Sequence, residues 1–160
     1  MKKEIYALPK KQSLSPKIYP VEDKIKYMDL LLLADEQKDM IERYLYKSDM
    51  FVLEDCSVLG EITVCGEGGV LEIKNLAVLP KFQRMGYGKK LVEFICEKYK
   101  DRYSYIKVGT GKSPLTLPFY KKCGFEPSYI VKDFFTENYD HPIIEAGVQL
   151  KDMVYLTKKL

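Results

Sequence analysis

Val78-Leu79-Pro80-Lys81-Phe82-Gln83-Arg84-Met85-Gly86-Tyr87-Gly88-Lys89-Lys90 joins two runs of opposite periodicity, and its reading decides the fold. Before it, Val70 to Val78 is an apolar strand pattern, stopped by Pro80, which has no N–H to offer a ladder. After it, Arg84 to Lys100 reads as a helix with Leu91, Ile95 and Tyr99 on one stripe. At the junction, Gly86 and Gly88 let the backbone approach a ligand closely, and the first amides of a helix have no partner within it. Residues 81 to 90 carry four cations, Lys81, Arg84, Lys89 and Lys90, and no anion. A helix start of this kind suits a pyrophosphate held by backbone amides with charged flanks.

The flanking sequence alternates between helical and strand patterns, with no internal repeat. Val21, Ile25, Met28 and Leu32 fall at helical spacing, and from Asp35 a second helical stretch groups Met40, Ile41, Tyr44 and Leu45. Met50 to Glu54 and Val58 to Cys65 read as strands, and Gly66-Glu67-Gly68-Gly69 as the turn before Val70. Downstream come a strand from Tyr103 to Val108, a short helix from about Leu115 to Lys122 closed by Gly124, and a last strand near Met153 to Lys158. A helix between two strands of one sheet makes those strands parallel. The expected class is therefore α/β (α+β) with a mixed sheet.

A chain of 160 residues that is 46% apolar and 31% charged holds one domain, residues 1–160, with a core of its own. Its longest apolar stretch, Met28 to Ala34, is interrupted by Asp29, so no segment approaches the ~20 residues that a bilayer span needs. The net charge of +3 divides unevenly: residues 1 to 20 carry five Lys against Glu4, or +4, which leaves −1 for the remainder. The body is therefore not a nucleic-acid-binding surface by charge. The N-terminus lacks a signal-peptide pattern. Cys56, Cys65, Cys96 and Cys123 show no Cys-x-x-Cys spacing, and His141 stands alone. The expectation is a reduced, cytoplasmic protein with no metal site.

Gln83-Arg84-x-Gly86-x-Gly88 after a strand resembles the acetyl-CoA-binding motif of the GNAT superfamily of N-acetyltransferases. Phe119-Tyr120-Lys121-Lys122-Cys123-Gly124-Phe125 is similar to the Tyr-x-x-x-Gly-Phe ending of the same family. The resemblance, good over residues 70 to 125, implies a GNAT-like fold: a mostly antiparallel central sheet of six to seven strands, flanking helices and a splayed parallel pair. It also implies that Leu76, Ala77 and Val78 pair with the pantetheine arm while Gln83, Arg84, Met85, Gly86, Tyr87, Gly88 and Lys89 cradle the pyrophosphate. The backbone N–H near Leu76 would polarise the thioester carbonyl.

Acetylating an amine requires removal of a proton. At pH 7 a lysine-like amine costs roughly 4.6 kcal/mol to deprotonate, a cost that a carboxylate base reduces. Glu72 lies where some acetylating members carry that base, and Tyr120 lies where the family's general acid is commonly found. Family members often carry an Asn before the Tyr that contacts the cofactor. Here Ser113 is the nearest short polar residue. Lys107 replaces a glutamate found in members that acetylate protein N-termini, which argues against that substrate class. The implied partners are acetyl-CoA and an amine acceptor, with no nucleic acid or membrane, and with self-association as a homodimer left open.

Two other classes fit parts of the sequence. A non-catalytic acyl-CoA-binding module would keep the loop and lose the chemistry. Gly109-Thr110-Gly111-Lys112-Ser113 copies the end of a nucleotide-binding P-loop, but Ile106 stands where the first glycine belongs. Acceptor sites in this fold come from the early helices, here residues 20 to 50, and from late loops, here Asp133-Phe134-Phe135-Thr136-Glu137-Asn138-Tyr139-Asp140. Carboxylates beside aromatics in that loop could receive a cationic amine. Gly86→Glu, which puts bulk and an anion at the phosphate position, should abolish acetyl-CoA binding by calorimetry; unchanged affinity would refute the loop assignment.

Overall fold

Seven strands form one sheet in the order β1-β2-β3-β4-β5-β9-β6 in the computed structural model, which describes residues 15–160. These strands are β1 (Lys17–Val21), β2 (Asp49–Asp55), β3 (Ser57–Glu67), β4 (Val70–Val78), β5 (Tyr105–Gly111), β6 (Glu126–Val131) and β9 (Met153–Lys159). The hairpin of β7 (Ile144–Glu145) and β8 (Val148–Gln149) stands apart. The helices are α1 (Met28–Leu31), α2 (Lys38–Leu45), α3 (Tyr87–Tyr99), α4 (Thr116–Lys122) and α5 (Phe134–Asn138). All neighbouring strand pairs in the large sheet are antiparallel except β4 and β5. This is the expected mixed sheet with one parallel pair.

Both faces of the sheet are covered. Leu91, Val92, Ile95 and Tyr99 of α3 and Tyr120 of α4 pack on Leu53, Ile62, Val64, Leu71 and Ile73 from one side. On the other side, Leu31 of α1 and Ile41, Tyr44 and Leu45 of α2 pack on Met50 and Val52. Alternate residues of β2 thus feed opposite cores, as a strand's two-residue period dictates. A third, smaller cluster joins Phe135, Ile143 and Leu150.

Strand β4 carries one residue too many. Thr63 pairs with Asn75 and Val64 with Ile73, so Lys74 bulges out of the ladder. The bulge shifts the phase of the side chains. Leu71 and Ile73 before it and Leu76 and Val78 after it all join the α3 face. Asn75 points to the other face, where its Nδ2 donates to Leu31 O and Tyr44 Oη, both at 3.0 Å. Past the bulge β4 also leaves its parallel neighbour: β5 pairs with it only from Val70 to Ile73, although β4 runs on to Val78 and β5 to Gly111. A wedge-shaped gap opens between the two strands.

Several elements differ from the sequence expectation. The first helical stretch is a 3₁₀ turn (Lys24–Tyr27) followed by the single turn of α1. Arg84 to Gly86 is loop, because Arg84 and Gly86 both have positive φ, 61° and 86°. Strand β5 starts and ends later than expected and absorbs Gly109 and Gly111. Methyl groups there would meet Met153 Sδ at 2.6 Å and Leu150 Cδ1 at 2.5 Å. Those glycines therefore serve strand packing, and the P-loop reading fails. Strands β1, β6, β7 and β8 and helix α5 were not anticipated. The basic segment lies outside the described residues except for Lys17 and its neighbours.

Asn75 is the polar link between the bulge and the α1–α2 layer. Asn75→Ala should destabilise the fold by about 2 kcal/mol in urea denaturation, because two partners lose their donor inside the protein; a change below 0.5 kcal/mol would show that water replaces the amide freely.

Candidate active site

The phase of the β3–β4 ladder determines what lines the gap. Leu79 N donates to Leu59 O at 2.8 Å. In an antiparallel pair only alternate residues bond to a given neighbour. The backbone groups of Asn75, Ala77 and Leu79 therefore face β3, and those of Leu76 and Val78 face the gap. The side chain of Gln83 agrees with this, since its Nε2 donates to Val78 O at 3.0 Å from the open side. Leu76 is left with its N–H and C=O presented to the gap. Ala77, also expected to pair with the pantetheine arm, spends its backbone on β3 instead.

At the mouth of the gap stands the N-terminus of α3. Its first intrahelical bond runs from Lys90 N to Gly86 O at 3.0 Å, and no side chain caps it. The amides of Tyr87, Gly88 and Lys89 are thus without helical partners. A surface depression of about 250 Å³ lies here, lined by Met85, Gly86, Tyr87, Lys89, Lys90 and Glu93. A Cβ on Gly86 would touch nothing, but its φ of 86° favours glycine. A Cβ on Gly88 would press the Phe119 ring at 3.2 Å, so this glycine seats α3 against α4. Lys89 pairs with Glu93 at 3.7 Å, and Lys81 lies 4.9 Å from the Phe82 ring centroid. No ion pair ties Arg84 or Lys90 among the described residues.

Tyr120 sits 7% exposed between Phe119 and Phe125, with ring centroids at 5.0 and 5.7 Å. Its hydroxyl has no hydrogen-bond partner among the described residues. Burial pushes its pKa far above the ordinary phenol range, so it keeps its proton at any working pH. Ser113, 1% exposed, is differently employed: its Oγ accepts from Leu115 N at 3.1 Å and its carbonyl from Leu117 N, which starts α4. The side chain thus accepts the first bond of that turn.

Glu72 lies before the bulge, within a cluster of charges and rings. Lys74 Nζ is 3.1 Å from one carboxylate oxygen and Lys107 Nζ 3.9 Å from the other. Lys107 in turn lies 5.3 Å from the Tyr155 ring centroid, and Tyr155 stacks on Tyr129 at 4.6 Å. Both oxygens of the Glu72 carboxylate are thus engaged by ammonium groups. A second carboxylate on the α1–α2 face escaped the sequence reading. Glu61 of β3 is 0% exposed. Oε2 accepts from Thr63 Oγ1 at 2.7 Å, and Oε1 has no partner. Burial raises its pKa to about 8, against the opposing pull of the Thr63 hydroxyl and the Ala77 amide. The available signal was a lone charge within Val58 to Val64, on a strand that turns out to be covered on both faces.

The acceptor-side loops do meet. Tyr139 Oη donates to Asp35 Oδ1 at 2.8 Å, Asp140 N donates to Gln37 Oε1 at 3.0 Å, and His141 sits 3.4 Å from Glu36. The aromatics of the 133–140 stretch are spent on each other: Phe135 stacks on Tyr139 at 5.6 Å and belongs to the third core. His141 is exposed, and its pKa is raised first by its bond to Asp140 and then by Glu36.

A sheet splayed at a bulge, with an uncapped glycine-rich helix start at its mouth, defines a protein that takes an extended ligand ending in phosphates. The comparisons specify the class. A family model described as an acetyltransferase (GNAT) domain matches residues 46–127. The uncharacterized N-acetyltransferase YvbK of Bacillus subtilis strain 168 is 39% identical over 132 residues, covering 80% of this chain and 85% of that protein. A GNAT family acetyltransferase from Elizabethkingia anophelis, solved with acetyl-CoA bound, superposes with a TM-score of 0.85 at 36% identity, covering 91% of this chain and 98% of the other. The IAA acetyltransferase of Bacillus cereus ATCC 14579 gives 0.86 at 33%, covering 91% and 100%. The chain belongs to the GNAT family and is an N-acetyltransferase.

The buried carboxyl of Glu61 has a consequence for stability. Its folded pKa of about 8 lies above the 4.5 of an ordinary glutamate. The native state therefore binds the extra proton, and the stability this contributes is full at acid pH and is lost as pH rises through the folded value. Glu61→Gln should remove that slope, so its thermal midpoint should gain on the wild-type midpoint from about pH 5 to pH 8 and keep a constant lead above that; parallel curves over this range would place the carboxyl in contact with water.

Proposed function

We propose that residues 1–160 act as one domain that transfers an acetyl group from acetyl-CoA to a primary amine of a small molecule or protein, by direct attack in a ternary complex. The observation that carries this reading is the open edge of β4: Leu76 offers a backbone donor and acceptor inside a gap whose mouth is the free N-terminus of α3. An extended pantetheine arm can add to β4 as a short strand, with its pyrophosphate on the amides of residues 87 to 89 and Arg84 and Lys90 in reach of its charge. Leu76 N–H then stands where the thioester oxygen gains charge during attack.

Tyr120 is the acid in this reading. Its hydroxyl stays protonated and first stabilises the departing CoA thiolate by a hydrogen bond, then hands over the proton. Glu72, expected as the base, can serve only if Lys74 moves off its carboxylate. As it stands, it orients two ammonium groups along the acceptor side. The acceptor enters from the face lined by α1, α2 and the 133–143 loop, opposite the face where α3 and α4 hold the cofactor. Four cysteines, none of them in a disulfide, support a reducing compartment such as the cytoplasm. Among the described residues no helix is long and apolar enough to cross a membrane. A homodimer, if formed, has the exposed edge strand β6 available to it.

Tyr120→Phe keeps the ring packed between Phe119 and Phe125 and removes only the hydroxyl. It should lower kcat by about 100-fold with acetyl-CoA affinity unchanged, measured by thiol release and calorimetry; full turnover in the variant would remove Tyr120 from the chemistry.

A further inference from the structure

Two buried acceptors on the α1–α2 face have no donor: Glu61 Oε1 and Asn75 Oδ1. Both residues are in the interior, at 0% and 4% exposure. Leaving such groups unpaired costs about 1–3 kcal/mol each, more when charged, so a missing donor is expected in the functioning molecule. The strand register relates them. Glu61 is opposite Ala77, and Asn75 is two residues before Ala77, so the two are diagonal neighbours on one face. Diagonal neighbours stand roughly 7–8 Å apart at the backbone, and side chains narrow that distance. Ala77 between them carries only a methyl group, so no larger side chain of β4 stands between the two oxygens.

What fits between two oxygens in an apolar interior is a small group with several N–H donors and a positive charge. An ammonium nitrogen has three donors and bonds to oxygens at about 2.8–3.0 Å. Asn75 is aligned for the task, since its Nδ2 is pinned by Leu31 O and Tyr44 Oη, which fixes Oδ1 in orientation. It also sits next to the bulge, one residue before Leu76.

We propose that Glu61 and Asn75 form the subsite for the acceptor's amine nitrogen, and that Glu61 takes the proton whose removal readies that nitrogen to be acetylated. This rests on the acetyl-transfer reading above and replaces Glu72 by Glu61 as the base. The groups near Glu61 are Thr63 on its own strand, Asn75 and the Ala77 amide on β4, Tyr44 on α2 and Tyr120 on α4, with Lys74 Nζ lying 5.5 Å from the centroid of the Tyr44 ring. The one cation among them, Lys74, is paired with Glu72, and no ion pair reaches Glu61 among the described residues, in contrast with Glu72. An incoming ammonium favours the ionised carboxylate by its charge. The ionised Glu61 first takes one proton from the ammonium on Oε1, which frees the nitrogen lone pair; the lone pair forms the N–C bond, the C–S bond breaks with its electron pair on sulfur, and the second nitrogen proton replaces the one that Tyr120 gives to the thiolate, while Glu61 later returns its proton to solvent. The thiolate is met by Tyr120.

The test uses the full chain with tryptamine, benzylamine, spermidine and lysine as probes. Thiol release from acetyl-CoA and amine binding to the CoA complex are measured for wild type, Glu61→Gln and Glu72→Gln. Glu61→Gln should lower kcat/KM at least 100-fold and weaken amine binding at least tenfold, with acetyl-CoA affinity within twofold. Glu72→Gln should fall less than tenfold. An amine acetylated equally by Glu61→Gln overturns the subsite alone and leaves the enzyme reading standing. A wild-type protein that binds acetyl-CoA but neither binds nor acetylates any of the four amines overturns both.

Discussion

The extra residue in β4 is the constraint on which the rest of the structure depends. A strand with a regular two-residue period would have kept its pairing with β5 and put Asn75 into the α3 core. With Lys74 set outside the ladder, the same sequence separates β4 from β5, exposes Leu76 to the gap and turns Asn75 toward α1 and α2. One irregularity thus supplies the cofactor slot on one side and the polar contact on the other. The edge it opens would be a liability in a sheet with no ligand, because unpaired backbone groups invite other strands. Here it lies inside the sheet, walled by β5.

The electrostatics separate into two regimes by burial. At the mouth, the cations are exposed and loosely paired, as a site needs if it is to attract a polyanion and let it go. Further in, the groups are neutral or matched: Tyr120 keeps its proton, and Glu72 is shared between two lysines. Glu61 departs from this pattern, since a buried carboxyl with one oxygen satisfied gains nothing for the fold. A glutamine or a leucine would pack there at less cost. Residues that disadvantage the folded state while sitting beside a functional gap are where chemistry is expected to be found.

The sequence made the cofactor side legible because that recognition is made by backbone. Backbone recognition leaves a signature in what the side chains must avoid, namely glycines at 86 and 88, a proline at 80 and an absence of anions, and each of these can be read without coordinates. Strand β4 could be read for the same reason, through its alternation. What alternation could not show is that it changes phase at Lys74, because the string Leu-Glu-Ile-Lys-Asn-Leu-Ala-Val offers a polar residue on either reading. Glu72 therefore looked like a strand carboxylate free to act, and its two lysines emerged only with the register of β4 against β5. Strands β1 and β6 were hidden by prolines at 20 and 127, which β1 and β6 tolerate because each is an edge of the sheet. Ser113 has a second use that the sequence did not show, because a short polar residue before a helix serves the turn as readily as a ligand.

The acceptor side has no comparable signature, for a physical reason. Its walls come from α1 and α2, from β3 and β4, and from the 133–143 loop, segments separated by up to about a hundred residues and joined by single hydrogen bonds such as Tyr139 to Asp35. No spacing rule connects such positions. The aromatic and acidic 133–140 stretch was conspicuous in composition, yet its rings fill their own small core and its Asp140 carboxylate is bonded to the adjacent His141. Glu61 looked ordinary in sequence, and it is set apart only by what surrounds it. Composition thus identifies surface that can interact. The unpaired oxygen in a closed interior is the more specific mark of a place for a donor, because it is defined by the surroundings of one atom and not by the composition of a segment.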